Sequence, residues 1–257
     1  MTQKIVFFDI DGTLLDFEKN LPENTIDAIN KLKENGTYVA IATGRGPFMF
    51  DSIREKLGIQ TFVSLNGQYV VFENEVIFKN PLPLNVLESL YREAKSNDHP
   101  LVLMSEHTMK ATVNYHKFIE IGMNSLNMEH PKKDEYFHIQ GDIYQALLFC
   151  EKIHDKQYIE KFSNLNFIRW HQFSTDVLPA GGSKANGIKK IIENLGFQID
   201  DVYAFGDGLN DIEMLKLAGT AVVMGNGLPE VKKHADYITT DVDDNGIWNG
   251  LKELGLI

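Results

Sequence analysis

Apolar and polar positions alternate along the first part of the chain with two distinct periods. The continuous apolar runs KIVFFDI, YVAIA and TFVSL predict strands that are buried on both faces. Between these runs, residues 22–35 carry apolar side chains at helical spacing before Gly36, and residues 47–57 form a second helical stretch before Gly58. Buried strands separated by helices indicate an α/β fold with a Rossmann-like parallel sheet that helices cover on both faces.

The rhythm of the sequence changes after Asn66 and Gly67. The segments QYVVF and EVIFK flank Glu73 and Asn74, which predicts a β-hairpin. From about residue 84 to 179, short strands and helices follow one another irregularly, with polar stretches such as NMEHPKKDE between them. This mixture indicates a separate α+β unit that interrupts the first domain.

Strands and helices alternate again from Lys184 to the end of the sequence. The predicted strands are DVYAFGD, TAVVMGNG and YITT, and the predicted helices are KANGIKKIIENLG, NDIEMLKLAG and PEVKKHA. The simplest organisation is one α/β core domain, formed by residues 1–82 and 183–257, with an inserted α+β cap domain at residues 83–182.

Polar residues stand where three predicted core strands end. The first strand runs into DIDGT, the second into TGR, and VYAFG runs into DGLND. The carboxyl ends of neighbouring parallel strands lie at one edge of a sheet, and ligands of open α/β sheets bind there. We therefore expect four carboxylates to converge at this edge: Asp9, Asp11, Asp207 and Asp211.

Such a cluster needs positive charge. A pair of like charges about 4 Å apart costs on the order of 4 kcal/mol at an effective dielectric of about 20, so either some carboxylates are protonated or a divalent cation lies among them. Oxygen ligands without histidine or cysteine suit Mg²⁺. Lys184, at the start of a helix, would add a second cation, while Thr43 and the Gly44 amide would offer neutral donors. Together these groups predict a phosphoryl pocket, in which one aspartate attacks phosphorus and the next transfers protons.

The same segments resemble the motifs of the haloacid dehalogenase-like (HAD) superfamily, and specifically of its Cof-type phosphatases. DIDGTLL is similar to the first motif, ATGR to the second, Lys184 to the third and GDGLND to the fourth, in the order of the family. The long insertion between the second and third motifs resembles the cap of the Cof-type branch, and SLNG resembles another of its stretches. Ala185 departs from the family, because many relatives have glycine after the lysine.

The resemblance implies a role for each matching residue. Asp9 would be the nucleophile and Asp11 the general acid and base. Mg²⁺ would be held by the side chains of Asp9 and Asp207 and by the main-chain carbonyl of Asp11. The phosphate ligands that the resemblance implies are the Ile10 amide, Thr43, Gly44, Lys184 and Asn210.

Structural roles compete with functional ones for several residues. Asp211 would either support the metal through water or orient Lys184, and Arg45 would bind either a carboxylate or the substrate. Asp207 and Asp211 could instead cap the following helix with Asn210, although capping alone leaves Asp207 without a partner. The histidines of the insertion fit no zinc spacing, so we expect them in surface or core positions.

Composition narrows the expected partners and compartment. A net charge of −11 without a basic stripe argues against nucleic-acid binding. No apolar run reaches the length of about 18 residues that a membrane span needs, and the first residues show no signal peptide, so we expect a cytoplasmic protein without a membrane partner.

The single cysteine, Cys150, excludes an internal disulfide framework and sits in a segment that predicts core packing. The sequence is compatible with a monomer.

The expected activity is that of a Mg²⁺-dependent phosphatase acting on a small phosphorylated metabolite, with a sugar phosphate as the first choice by family analogy. A phosphomutase or phosphotransferase with the same aspartyl-phosphate intermediate is the first alternative. A noncatalytic sensor of sugar phosphates is the second. Asp11 argues against dehalogenation, since a leaving halide needs no proton donor. A cap that closes over the site would exclude water and large substrates.

Overall fold

The structure, a computed structural model, describes residues 3–257. It contains two compact units. The core unit consists of residues 3–45, 50–78 and 183–257, and the insert unit consists of residues 46–49 and 79–182. Each unit has its own sheet and its own buried apolar cluster.

Most strands and helices coincide with elements that the hydrophobic pattern predicts. In chain order, the strands are β1 (Ile5–Phe8), β2 (Tyr38–Ala42), β3 (Thr61–Ser64), β4 (Tyr69–Phe72), β5 (Glu75–Lys79), β6 (Leu101–Met104), β7 (Met109–Ala111), β8 (Gln145–Phe149), β9 (Leu165–His171), β10 (Ser174–Pro179), β11 (Val202–Gly206), β12 (Thr220–Val223) and β13 (Tyr237–Ile238). The α-helices are α1 (Glu23–Glu34), α2 (Asp51–Leu57), α3 (Leu84–Ser96), α4 (Lys117–Asn124), α5 (Asp155–Lys161), α6 (Lys184–Leu195), α7 (Ile212–Leu217), α8 (Pro229–Lys232) and α9 (Gly246–Glu253).

The core unit is built on an eight-stranded sheet in the order β13-β12-β11-β1-β2-β3-β4-β5. The pairs from β13 to β3 are parallel, and β4 runs antiparallel to β3. Ile5 and Phe7 of β1 enter one layer, where they join a buried cluster with Ile188 of α6. On the other face, Gly250 of α9 lies against the Phe205 ring. This arrangement confirms the predicted α/β class, a parallel sheet covered by helices.

The chain places β2 and β3 on one side of β1 and later returns to place β11, β12 and β13 on its other side. The strand order therefore reverses between β1 and β11. Ligands of open α/β sheets bind outside the carboxyl ends of the strands at such a reversal. The loops after β1, β2, β11 and β12 lie at this edge, and the first three of them carry the predicted site residues.

The insert unit has a five-stranded antiparallel sheet in the order β7-β6-β8-β10-β9. Helices α3 and α5 cover one face, where Leu87, Leu90 and Tyr158 join a buried apolar cluster. Helix α4 covers part of the other face, where Gly122 lies against the Phe149 ring. Cys150, directly after β8, is buried, as its apolar neighbours predict. Within residues 3–257, no helix combines the length and the apolar character that crossing a bilayer requires.

Two helices are absent from the sequence-based prediction. Helix α4 is short, and its N-cap is His116, whose Nδ1 accepts a hydrogen bond from the Phe118 amide, so the usual Ser, Thr or Asp signal is missing. Helix α9 follows Asn245, which has a left-handed backbone conformation (φ 58°). Asn-Gly pairs at its start, residues 245–246, and at its middle, residues 249–250, are typical of turns and conceal the helical period.

Candidate active site

Asp207 lies against the loop after β1, which carries Asp9, and a glycine in that loop makes this close approach possible. The Asp9 amide donates to the Phe205 carbonyl at 3.0 Å, which extends the pairing of β1 with β11 into the loop. Gly12 has a φ of +79°, and a β-carbon there would lie 2.4 Å from Asp207 Oδ2. Only glycine combines this backbone conformation with such close approach of a carboxylate. The Thr13 hydroxyl then donates to Asp207 Oδ1 at 3.1 Å.

Tight packing at the start of α6 places Lys184 at the same edge. Ser183 is the N-cap, and its hydroxyl accepts from the Asn186 amide. A β-carbon at Gly67 would lie 2.1 Å from the Ser183 carbonyl oxygen, and one at Gly187 would lie 2.9 Å from the Gly67 α-carbon. The two glycines therefore allow the helix to begin directly against the turn after β3. As a result, the Lys184 side chain enters the buried interior of the core unit.

Lys184 is the centre of the buried charge cluster. Its ammonium donates to Asp9 Oδ1 at 2.5 Å and to Asp211 Oδ1 at 2.6 Å. Asp211 Oδ2 accepts from the amides of Asp207 and Gly208, each at 2.9 Å. Asp211 is fully buried, and both of its carboxylate oxygens accept hydrogen bonds, which join the lysine to the turn that carries Asp207.

The electrostatics of this cluster call for one more cation. Burial raises the pKa of Asp9 to about 7; the Lys184 ammonium opposes this shift, and the Asp211 charge adds to it. Burial also raises the pKa of Asp207 to about 8, with the charges of Asp9 and Asp211 adding to the shift. The pKa of Lys184 lies above its ordinary value, because the two carboxylates that it contacts outweigh the effect of burial.

A divalent cation fits the residues present. Carboxylate oxygens of Asp9, Asp207 and Asp211 lie within 4.8 Å of one another, and this is the one such acidic or histidine-containing group among the described residues. Three ionised carboxylates beside one ammonium leave two negative charges, which one divalent ion neutralises. Since Asp211 is already engaged by Lys184 and two amides, Asp9 and Asp207 are the side chains suited to bind the ion. An all-oxygen donor set favours a hard ion such as Mg²⁺.

Asp11 lies apart from this cluster and is paired with two cations. Arg45 donates to Asp11 through Nε at 2.8 Å and through Nη2 at 2.7 Å, and the Lys19 ammonium lies 2.7 Å from Asp11 Oδ1. Burial alone would raise the pKa of Asp11, but the hydrogen bonds and charges of Arg45 and Lys19 lower it below its ordinary value. Arg45 therefore contacts a carboxylate, one of the two roles that the sequence leaves open.

The expected phosphate donors lie around the same edge. Thr43 is buried, and its hydroxyl oxygen accepts from the Arg45 amide at 3.1 Å, so the hydroxyl proton can point to another acceptor. Gly44 lies against Asn66, whose amide nitrogen would be 3.0 Å from a β-carbon at residue 44. The Ile10 amide donates to no acceptor in residues 3–257. Asn210 lies in the short 3-10 turn Leu209–Asp211 beyond β11.

The structure thus brings together Asp9, Asp207, Asp211 and Lys184, and it places the Asp11 side chain with Arg45 instead of in the acidic group. Sequence reasoning missed Lys19, which reaches Asp11 from a tight turn where its φ is 65°. It also missed Thr13, the packing role of Gly187, and Asn226, whose side-chain amide donates to the Gly12 carbonyl at 2.8 Å. Only the position of Thr13 inside DIDGT carries a signal that could have identified such a role; the other contacts depend on tertiary structure.

The comparison with protein families matches almost the whole chain. A sequence model described as haloacid dehalogenase-like hydrolase covers residues 6–251. The protein named "Putative phosphatase YkrA" from Bacillus subtilis is 51% identical over 257 residues, with 100% of both chains covered. "5-amino-6-(5-phospho-D-ribitylamino)uracil phosphatase YitU", also from Bacillus subtilis, is 30% identical over 262 residues, covering 97% of this chain and 96% of that protein.

A solved structure shares the fold over its full length. It is the sugar phosphatase BT4131, described as a member of HAD subclass IIB. The two chains superpose with a TM-score of 0.89 at 29% sequence identity, and 99% of this chain and 100% of the other are covered. The similarity therefore includes the insertion as well as the parallel core.

Proposed function

This chain belongs to the haloacid dehalogenase-like hydrolases, as a phosphatase of that superfamily, and we propose that it hydrolyses a small phosphorylated metabolite with Mg²⁺ bound at the acidic group. One observation carries the proposal: a single buried ammonium, Lys184, bridges Asp9 and Asp211 beside Asp207. A carboxylate cluster with one compensating cation is suited to receive a metal ion together with a phosphate dianion.

In the proposed first half-reaction, a carboxylate oxygen of Asp9 attacks phosphorus, and the bond from phosphorus to the leaving oxygen breaks. Asp11 gives the leaving oxygen its proton. Lys184, the Thr43 hydroxyl and nearby amides stabilise the negative charge on the phosphoryl oxygens. Mg²⁺, when bound, supplies further positive charge at the phosphoryl group.

In the second half-reaction, water hydrolyses the aspartyl-phosphate. Asp11 removes a proton from the water as its oxygen attacks phosphorus, and the Asp9 carboxylate leaves. The cations beside Asp11 favour its ionised form, which is the form that accepts this proton. Proton donation in the first step requires that the bound substrate weaken the hold of Arg45 or Lys19 on Asp11.

For the substrate we propose a phosphate monoester of a sugar or of a related polyhydroxylated chain. Two relatives support this class by their names, one a sugar phosphatase and the other a phosphatase of a phosphoribityl compound. That residues of the insertion recognise the leaving group stays a prediction from the resemblance. The cytoplasmic location and the lack of a nucleic-acid partner stay predictions.

Substitution of the nucleophile tests the mechanism. We expect Asp9→Asn to abolish hydrolysis of p-nitrophenyl phosphate in the presence of Mg²⁺ while the protein stays folded, as judged by circular dichroism. Asp51→Asn, which alters an exposed carboxylate of the same unit, serves as the control and should retain full activity. Near-normal turnover by Asp9→Asn would exclude the covalent mechanism.

A substrate panel tests the proposed class. Hexose, pentose and pentitol phosphates should show higher kcat/KM than p-nitrophenyl phosphate, and a phosphoserine peptide should be the poorest substrate. Phosphate release with and without an added sugar acceptor separates hydrolysis from the alternative of phosphotransfer or mutase activity. Binding of sugar phosphates without any turnover would instead indicate a sensor.

A further inference from the structure

The loop after β12, residues 224–228, contacts both loops of the proposed cation site. The Asn226 side-chain amide donates to the Gly12 carbonyl at 2.8 Å. Two residues later, the Leu228 amide donates to the Asp207 carbonyl at 3.1 Å. One short loop is therefore hydrogen-bonded to the main chain beside Asp11 and at Asp207.

Asn226 is fixed from its other side as well. Its Oδ1 accepts from the Val242 amide at 2.8 Å. A main-chain N–H can only donate and a carbonyl can only accept, so these two partners determine the orientation of the side-chain amide. The loop itself is tied by the Gly227 amide, which donates to the Met224 carbonyl at 2.8 Å, and by the Lys232 ammonium, which donates to the Gly225 carbonyl.

The Gly12 carbonyl, to which Asn226 donates, is close to the contacts between the β1 loop and Asp207. It belongs to the peptide that joins Gly12 to Thr13, and the Thr13 hydroxyl donates a hydrogen bond to Asp207 Oδ1. The Gly12 backbone also lies directly against Asp207 Oδ2. A rotation of this peptide would therefore change the distance between Asp207 and the loop that carries Asp9.

We propose that Asn226 is a positioning residue for the divalent-cation site, which sets the spacing between the Asp9 loop and Asp207 without touching the ion. This inference rests on the proposed function, because the ion is the Mg²⁺ invoked there. Groups that orient the ligands of a metal change its affinity by about 10–100-fold when they are removed. A residue that merely supports the fold would change stability but not the affinity of the folded protein for the ion.

Asn226→Ala tests the proposal, with Asn249→Ala as the matched control. Asn249 lies in the same unit and donates to Thr240 Oγ1 and to the Asp244 carbonyl, but it reaches neither loop of the site. Isothermal titration of the substrate-free proteins with MgCl₂ should give an affinity that is at least about tenfold weaker for Asn226→Ala and unchanged for the control. At saturating Mg²⁺, the KM of Asn226→Ala for p-nitrophenyl phosphate should equal that of the wild type.

Equal Mg²⁺ affinity in Asn226→Ala and the wild type would overturn the inference, and so would an equal loss in the control. If Asn226→Ala does not fold, Asn226→Asp decides. The aspartate keeps an acceptor for Val242, loses the donor to Gly12 and adds negative charge that attracts a cation. Weaker Mg²⁺ binding by this variant would support positioning, whereas equal or tighter binding would overturn it. A wild-type protein that binds no Mg²⁺ would contradict the proposed function instead.

Discussion

Lys184 and Asp211 form a fully buried ion pair at the carboxyl edge of the core sheet, with 2.6 Å between the ammonium and Oδ1. The pair also fixes the position of the turn after β11, because the second oxygen of Asp211 accepts hydrogen bonds from the amides of Asp207 and Gly208. The third and fourth sequence motifs are thereby joined into one buried network. Loss of one member leaves the other charge less well compensated, and neither side chain is exposed to solvent.

Asp211→Asn should therefore destabilise the protein. Removing one partner of a buried ion pair costs about 3–5 kcal/mol, and we expect about 3 kcal/mol here, because reduced repulsion with Asp9 and Asp207 offsets part of the loss. Urea unfolding of the metal-free protein measures the change. Asp51→Asn, which disrupts the exposed pair with Arg54, should cost less than about 1 kcal/mol. Equal effects of the two substitutions would mean that the buried pair has no special structural role.

Gly12→Ala should disrupt the metal site by steric contact. The added β-carbon would lie 2.4 Å from Asp207 Oδ2, so the carboxylate must move. Gly36 has nearly the same φ, +77°, but no atom of its surroundings lies within 4 Å of its β-carbon position. Gly36→Ala is therefore a control for backbone strain alone, which costs about 1 kcal/mol.

We expect Gly12→Ala to lose at least about tenfold in Mg²⁺ affinity, and Gly36→Ala to lose stability without any change in affinity. Calorimetric titration with MgCl₂ and thermal unfolding of the same samples give both quantities. The steric explanation fails if both variants bind Mg²⁺ as the wild type does.

The position of the site in the fold can be predicted from the sequence, but the pairing of its side chains cannot. The apolar runs that end in DIDGT, TGR and DGLND are sufficient to place three loops at one edge of a parallel sheet, because strand period and strand order follow from general rules. The pairing of Arg45 with Asp11 could be stated only as one of two options. Its choice depends on side-chain directions beyond the strand ends, which hydrophobic periodicity does not encode.

The contacts that Asn226 and Lys19 make could not be predicted from the sequence for the same reason. Nothing near Asn226 in the sequence indicates that its amide meets the Gly12 carbonyl, 214 positions away. Lys19 follows a glutamate in a polar turn and looks like a solvated residue, yet the left-handed backbone there directs its ammonium to Asp11. Such contacts arise from packing of the loops and not from the local propensity of their residues.

Mg²⁺ should stabilise the folded protein, and Asp207→Asn should remove this effect. An ion that binds only the native state raises the free energy of unfolding by about 2.7 kcal/mol when its free concentration is about one hundred times Kd. Without the ion, Asp207→Asn should unfold at the same or a higher temperature than the wild type, because burial and the charges of Asp9 and Asp211 disfavour an ionised carboxylate at this position. Thermal unfolding with MgCl₂ or EDTA measures both shifts. A Mg²⁺-induced stabilisation of Asp207→Asn as large as that of the wild type would place the ion elsewhere.

Cys150 should react slowly with thiol reagents, and its rate should depend steeply on pH. Burial raises the pKa of this thiol from 9.0 to about 11, with the charge of Arg169 opposing the shift and that of Asp155 adding to it. The thiolate is the reactive form. Raising the pKa of the thiol from 9.0 to about 11 lowers the fraction of thiolate at pH 8 about a hundredfold. Because the folded-state pKa is raised, protonation of the thiol favours the folded protein, and this contribution is lost as the pH rises from about 9 to about 11.

We expect alkylation of the native protein by iodoacetamide at pH 8 to be at least about a hundredfold slower than alkylation of the urea-unfolded chain. Its rate should rise about tenfold per pH unit between about pH 8 and 10, since the thiolate fraction grows in that proportion below the pKa. Cys150→Ala provides the blank, because the chain has one cysteine. Mass spectrometry of timed samples follows the reaction. A native rate within about tenfold of the unfolded rate would show that burial neither shields the thiol nor raises its pKa to this extent.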